Sequence, residues 1–183
     1  MHADFNQLLK SCKNFDRKAQ RQMLDLLAPF LFSVCKRYEG SSPNLQDLVQ
    51  ETLILIFNNI EQCRGEEKAF MGWCRRIAIN VCLQKIRKKN LPLETLDTIG
   101  ADPGVPPGIL SKMGVDDILQ VLDQLPENQR LVFNLSVLDG YSHAEISREI
   151  NITESHSRAL LTRARAALQD LITKKEPLNN AYR

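Results

Sequence analysis

Residues 90–114 hold four of the chain's eight prolines and four of its eight glycines. Proline fixes φ and removes a backbone donor, while glycine leaves the backbone loose, so no regular element is expected there. A stretch of about 25 unstructured residues is unusually long for a connection within one compact domain. It divides the 183 residues into blocks 1–90 and 115–183, joined by a linker at 91–114. Both blocks read as helical. The spacing of Leu24, Leu27, Leu31, Val34 and Cys35 has a helical period. Pro29 is expected to open a second helix or to kink a continuous one. Further helices are expected at 47–60 and 70–89. No run alternates apolar and polar residues long enough for a strand. The expected fold is therefore all-α: two small helical domains around an irregular, acidic, Pro/Gly-bearing linker.

The longest apolar run, Leu53 to Phe57, has five residues. A membrane span needs about 20, so no membrane insertion is expected. The first residues lack a basic segment followed by an apolar one, so no signal peptide is expected, and the expected compartment is the cytoplasm. The five cysteines, at 12, 35, 63, 74 and 82, form no CxxC pair. They are expected to be reduced packing residues, with zinc or redox use as the alternative. Asp116, Asp117 and Asp123 are the only acidic cluster of interest. No phosphate loop, nucleophile elbow or metal-ligand spacing accompanies them. An enzyme is not expected, nor a cofactor or bound metal.

Net charge is only +2, but it is segregated. Residues 41–70 carry five acids and two bases, 71–90 six bases and no acid, and 91–128 seven acids and one base. Separate surfaces for separate partners are implied.

The C-terminal block is sharply punctuated. Asp116 is a candidate cap for a helix at 118–125. Pro126 sits at the first position of another, which Asp139-Gly140 ends. Ser142-His143-Ala144-Glu145 has the spacing of a capping box, in which hydroxyl and carboxylate each bond backbone N–H groups of the first turn. A short helix follows to about Glu149 or Ile150, and Thr153 caps a longer one to about Lys174. Two helices joined by a short turn, the second longer and basic, suggest a helix-turn-helix. Ser147 supplies a small residue at the crossing. Asn151 tolerates the positive φ a tight turn needs. Ile146, Ile150, Ile152, Leu160 and Leu161 would pin the pair. Ser157 falls where such motifs usually bury a valine, so its hydroxyl must bond back to the helix or face the groove. The second helix would enter the DNA major groove by its first turns. Ser155, His156, Ser157 and Arg158 are the candidates for base contact. Arg163 and Arg165, further along, would meet phosphates or a neighbouring helix.

Helix 70–89 has a core stripe of Phe70, Cys74, Ile77 and Val81. Arg76, Asn80, Gln84 and Arg87 share a second stripe, and Trp73 lies at the border. The helix ends in Lys85-Ile86-Arg87-Lys88-Lys89. Cations hold phosphate, asparagine reads a base edge and an aromatic ring supports an unpaired base. Composition leaves open whether Trp73 is simply core and the basic run a solvated helix end.

Helix 47–60 is too apolar for one buried face. Val49, Leu53, Ile56, Phe57 and Ile60 make one stripe, and Leu48, Ile54 and Leu55 lie off it. Either this is the central helix, or it offers a partner an apolar patch rimmed by Asp47, Gln50 and Glu51.

The whole pattern resembles the extracytoplasmic-function group of bacterial sigma factors, the promoter-recognition subunits of RNA polymerase. Asp47-Leu48-Val49-Gln50-Glu51 with Phe57 is similar to the family's region 2.2. Phe70-Met71-Gly72-Trp73-Cys74-Arg75-Arg76-Ile77-Ala78-Ile79-Asn80 is similar to regions 2.3–2.4. Leu125 to Arg130, Gly140 to Ile146, and Arg163 to Leu168 are similar to region 4. The resemblance implies domain boundaries of 1–90 for region 2 and 115–183 for region 4. It implies docking of Asp47, Leu48, Gln50, Glu51, Ile54 and Phe57 on the β′ coiled coil of core RNA polymerase. It implies opening of the promoter −10 element by Arg64, Trp73, Arg76, Asn80, Gln84, Lys85, Arg87 and Lys88, with the loop 63–69 holding displaced bases. The helix-turn-helix would read the −35 element and sit on the β flap. The acidic linker would thread near the RNA exit path, and an anti-sigma factor would be a partner. Ser147 departs from the family's usual alanine, Asn151 from its glycine, and His156-Ser157 from a frequent Thr-Val pair. The alternative function is a stand-alone helix-turn-helix regulator that binds duplex DNA without polymerase.

Overall fold

A computed structural model describes residues 2–40, 42–64, 66–88 and 120–180, with side chains from Phe5 to Thr173. The linker 91–114, the cap at Asp116, the start of the helix at 118 and Lys89 lie outside the described residues. The chain divides into two compact units, Met1–Lys88 and Lys89–Arg183.

Among its described residues the first unit has four α-helices: α1 His2–Lys13, α2 Arg17–Glu39, α3 Leu45–Asn58 and α4 Glu67–Lys88. A 3-10 turn, Ile60–Gln62, follows α3. Asp16 starts α2 by accepting the N–H groups of Lys18 at 2.7 Å and Ala19 at 3.2 Å. The helix runs unbroken through Pro29. An interior proline costs about 3 kcal/mol. The buried stripe of Met23, Leu27, Leu31, Val34, Cys35 and Tyr38 on both sides of it offsets that. Gly40, at φ 66°, closes the helix with its N–H on the Lys36 carbonyl.

In α3 the inward stripe differs from the expected one. Leu45, Leu48, Val49, Thr52 and Ile56 are buried, while Leu53 and Phe57 are half-buried. The inward face includes a polar residue because Thr52 satisfies its own donor, bonding the Leu48 carbonyl at 2.7 Å. With α2, which also packs against all three other helices, α4 forms the centre of the bundle. It buries Ala78, Ile79, Cys82, Leu83 and Ile86 besides Phe70, Cys74 and Val81, a wider face than the single expected stripe. All five cysteines are buried and unpaired. Cys35 on α2 and Cys82 on α4 share a hydrogen bond, which holds Cys35 below the ordinary thiol range and Cys82 above it.

The second unit has α5 Glu127–Phe133, which passes into a π turn Asn134–Leu138, then α6 His143–Ile150 and α7 Glu154–Asn180. Residues 120–122 are also helical. Pro126 caps α5 instead of occupying its first turn, and its carbonyl accepts the Arg130 N–H at 2.9 Å. The capping box is complete. The Ser142 N–H donates to Glu145 Oε2 at 2.8 Å, and the Glu145 N–H donates to Ser142 Oγ at 3.2 Å. Asn151 takes the left-handed conformation, φ 55° and ψ 50°. Thr153 Oγ1 accepts the His156 N–H at 3.1 Å. Ile146, Leu160 and Leu161 are buried, while Ile150 and Ile152 are half-buried. α7 extends past the expected end at Lys174 to Asn180. Among the described residues, no helix is long and apolar enough to cross a membrane.

Candidate nucleic-acid and protein interfaces

Three surfaces carry the residues singled out by sequence, two on the first unit and one on the second.

The outer face of α4 brings Trp73, Asn80 and Gln84 together. They line a cavity of about 260 Å³ with Ile77 and Val81 of α4, Leu55 of α3, Asn59 just after it and Gln62 of the 3-10 turn. That is below the ~300–1,000 Å³ of drug-sized sites and suits one planar group. Trp73 is half-buried. Its ring centroid lies 5.9 Å from that of Phe70, which in turn meets Phe5 of α1 at 5.4 Å. The indole is therefore anchored from behind and lines the cavity in front, half-way between core and surface. Arg64, Arg76, Asn80, Gln84, Arg87 and Lys88 are exposed. Lys85 is not free for phosphate as expected. Its Nζ lies 3.6 Å from the carboxylate of Glu39, whose side chain is buried. A paired cation offsets the cost of burying the carboxylate, and Lys85 of α4, itself only partly exposed, is placed to supply it.

The second surface answers the alternative left open for the helix at 47–60. α3 is not the central helix. It buries one face and leaves Ile54 59% exposed. Asp47, Gln50 and Glu51 are exposed beside it, and Phe57 is half-buried. Leu48, expected at the contact, is only 2% exposed and belongs to the core. Sequence reading missed the contribution of α2. Ala28, Pro29 and Phe32 form a groove of about 390 Å³ with Gln46, Val49 and Gln50. Phe32, a large exposed apolar side chain lying off the α2 core stripe, was the signal available for it.

On the second unit, Ser155 and Arg158 are exposed and His156 is half-buried at the first turn of α7. Arg158 is bonded along its helix to Glu154 at 2.7 Å. Arg163 and Arg165 are half-buried. Ser157 departs from expectation. It is fully buried, and its hydroxyl bonds His143 Nδ1 at 2.8 Å. It therefore faces neither groove nor solvent, but ties α7 to the first turn of α6. His143 had not been singled out. Burial lowers its pKa first, with Arg158 and Arg165 adding to the shift and Glu154 opposing it.

Comparison with known proteins covers the stretches of chain that carry these surfaces. The family model described as Sigma-70 region 2 matches residues 23–91, and that described as Sigma-70, region 4 matches residues 116–168. The ECF RNA polymerase sigma factor SigW of Bacillus subtilis is 28% identical over 174 residues, 88% of this chain and 92% of the relative. The ECF RNA polymerase sigma factor SigE of Mycolicibacterium smegmatis is 28% identical over 152 residues. That match spans 79% of this chain and 58% of the relative, so under two thirds of its length. A solved complex of the sigma factor RpoE with the anti-sigma factor NepR from Bartonella quintana aligns with a TM-score of 0.48. It is 20% identical, over 84% of this chain and 96% of that one.

Proposed function

The chain belongs to the sigma-70 family, in its extracytoplasmic-function group, and from that membership we propose that it directs core RNA polymerase to specific promoters. The observation that carries this reading is the ordered pair of family matches, region 2 over 23–91 and region 4 over 116–168. A stand-alone regulator would have use for the second unit only, and the sequence relatives are themselves sigma factors. The protein is not an enzyme. It acts by holding polymerase and DNA in register, and its expected compartment is the cytoplasm.

In this reading the exposed patch of α3 docks on the β′ coiled coil. Ile54 and the edge of Phe57 supply apolar area, and Asp47, Gln50 and Glu51 the polar rim. The cavity on α4 takes one unstacked base of the −10 element. Trp73 offers a ring for stacking, and the amides of Asn80 and Gln84 each offer a donor and an acceptor. Arg64, Arg76, Arg87 and Lys88 neutralise nearby phosphates. The first turn of α7 enters the major groove at the −35 element, where Ser155, His156 and Arg158 meet base edges. Arg158 would exchange Glu154 for acceptors of guanine. Arg163 and Arg165 support the helix from its phosphate side. The second unit rests on the β flap, the acidic linker lies near the RNA exit path, and an anti-sigma factor competes for the docking surfaces.

The test is co-elution with bacterial core RNA polymerase on size exclusion, comparing wild type with Asp47→Arg plus Ile54→Asp. Wild type should co-elute and the double variant should not. Absence of co-elution, with tight binding of duplex DNA by the protein alone, would replace this reading with the regulator.

A further inference from the structure

The turn between α1 and α2 carries an aromatic residue that the fold of the first unit does not use. Phe15 is 81% exposed and has φ 60°. Among the described residues only Asn151 shares a positive φ without being glycine. Asparagine tolerates that region, whereas a bulky aromatic residue there is an outlier. A residue that is both exposed and poorly suited to its backbone gains nothing from the core.

Two further observations say what it faces. The turn is stitched to the segment that leads into α4, because Lys13 Nζ donates to the Cys63 carbonyl at 2.7 Å. The surroundings are basic. Residues 10–21 contain Lys10, Lys13, Arg17, Lys18 and Arg21 against one acid, Asp16. That acid is engaged as the cap of α2. Lys10, Arg17, Lys18 and Arg64 are exposed, and Arg21 pairs with Asp25 at 3.3 Å. Glu61 is the exposed acid of the adjoining 3-10 turn.

An exposed ring among cations is the composition of a single-strand platform: the ring takes any base face and the cations take phosphate. A protein partner fits less well, since the centre of a protein interface is depleted in lysine. We propose that Phe15 is a stacking platform for the displaced promoter strand where it continues past the Cys63–Arg64 loop, with Lys10, Arg17 and Lys18 on its phosphates. This rests on the sigma-factor reading above, and it extends the strand's path from α4 to the α1–α2 turn.

The test uses holoenzyme assembled with bacterial core RNA polymerase. The probe is a fluorescein-labelled single-stranded DNA 20-mer of random sequence, read by anisotropy with core polymerase alone as baseline. Phe15→Asn removes the ring and suits the positive φ, so it should fold at least as well as wild type. Its affinity for the probe should fall about 5- to 150-fold, the range for losing one base–aromatic stack. Trp73→Ala should also weaken the probe. An unchanged affinity for Phe15→Asn beside a loss for Trp73→Ala would overturn the platform and leave the sigma reading standing. No gain of wild-type holoenzyme over core alone would overturn both. Loss of holoenzyme assembly by Phe15→Asn would make the ring a polymerase contact and overturn the platform.

Discussion

Each helical unit holds polar links inside its packing, and two of them, one from each unit, are of different kinds. In the first unit an ion pair, Glu39 to Lys85, joins the end of α2 to the basic end of α4. In the second a neutral hydrogen bond, His143 to Ser157, joins the start of α6 to the start of α7. An ion pair fixes position strongly but leaves a stranded charge when broken. A neutral bond costs less to lose, because a serine hydroxyl can be replaced by a methyl group with little penalty. The first unit thus commits one cation of its basic helix to architecture. The second commits a residue from the first turn of α7.

Breaking the ion pair should have the largest effect. Lys85→Ala should destabilise the first unit by about 2–4 kcal/mol in urea unfolding. This lies below the full ~3–5 kcal/mol for a broken buried pair because the Lys85 side chain keeps 27% of its exposure. Lys85→Met combined with Glu39→Leu should recover most of that loss. A single variant as stable as wild type would show the pair to be idle.

The neutral link should matter less. His143→Ala should cost about 1–3 kcal/mol, the penalty for leaving the Ser157 hydroxyl buried and unbonded. Ser157→Ala should cost less, and the double variant no more than His143→Ala alone. Burial of the same histidine makes the second unit sensitive to acid. The folded state holds the His143 pKa below its ordinary value, so between the two values the unfolded chain binds more protons. Stability is therefore full above the ordinary histidine pKa and is lost as pH falls below it. His143→Gln should flatten thermal melts of the second unit between about pH 7 and 5. A wild-type melt already flat across that interval would remove the contrast.

The finest distinction lies in salt. Because Lys85 is committed to Glu39, it should not count among the phosphate contacts. Removing Arg87 and Lys88 together should lower the salt slope of promoter binding by about 1.4–1.8 units. Lys85→Gln should leave the slope unchanged. A drop of nearly one unit for Lys85→Gln would return it to the DNA surface.

The same contrast separates what the sequence revealed from what it hid. The capping box at Ser142, the left-handed Asn151 and the Thr153 cap were all legible. Each is a bond between a side chain and backbone within three residues, or a conformation one residue favours. The exposed Ile54 and the outer row of Arg76, Asn80 and Gln84 were legible as period. What was hidden depends on partners distant in sequence, or on polar groups that fold inward. Thr52 and Ser157 are buried because one bonds its own helix and the other a histidine on the preceding helix. A stripe drawn through apolar residues alone passes over both, and it mistook Leu48 for surface. Lys85 looked like its basic neighbours because nothing local announces Glu39. Pro29 is locally a signal to open a second helix or kink a continuous one, and α2 continues through it because the buried stripe on both sides outweighs the local penalty.

The cysteines give the two units different chemical visibility. All five lie in residues 12–82, and none in the second unit. Burial holds Cys12 and Cys63 above the ordinary thiol range and pushes Cys74 up to about 12, and Cys35 is itself sealed in the core. A thiol reagent added to the native protein therefore meets no ready thiolate, and reacts only when the first bundle opens. The rate of alkylation becomes a clock for that opening alone, silent to whatever the second unit does, and readable while the chain is bound to a partner many times its size.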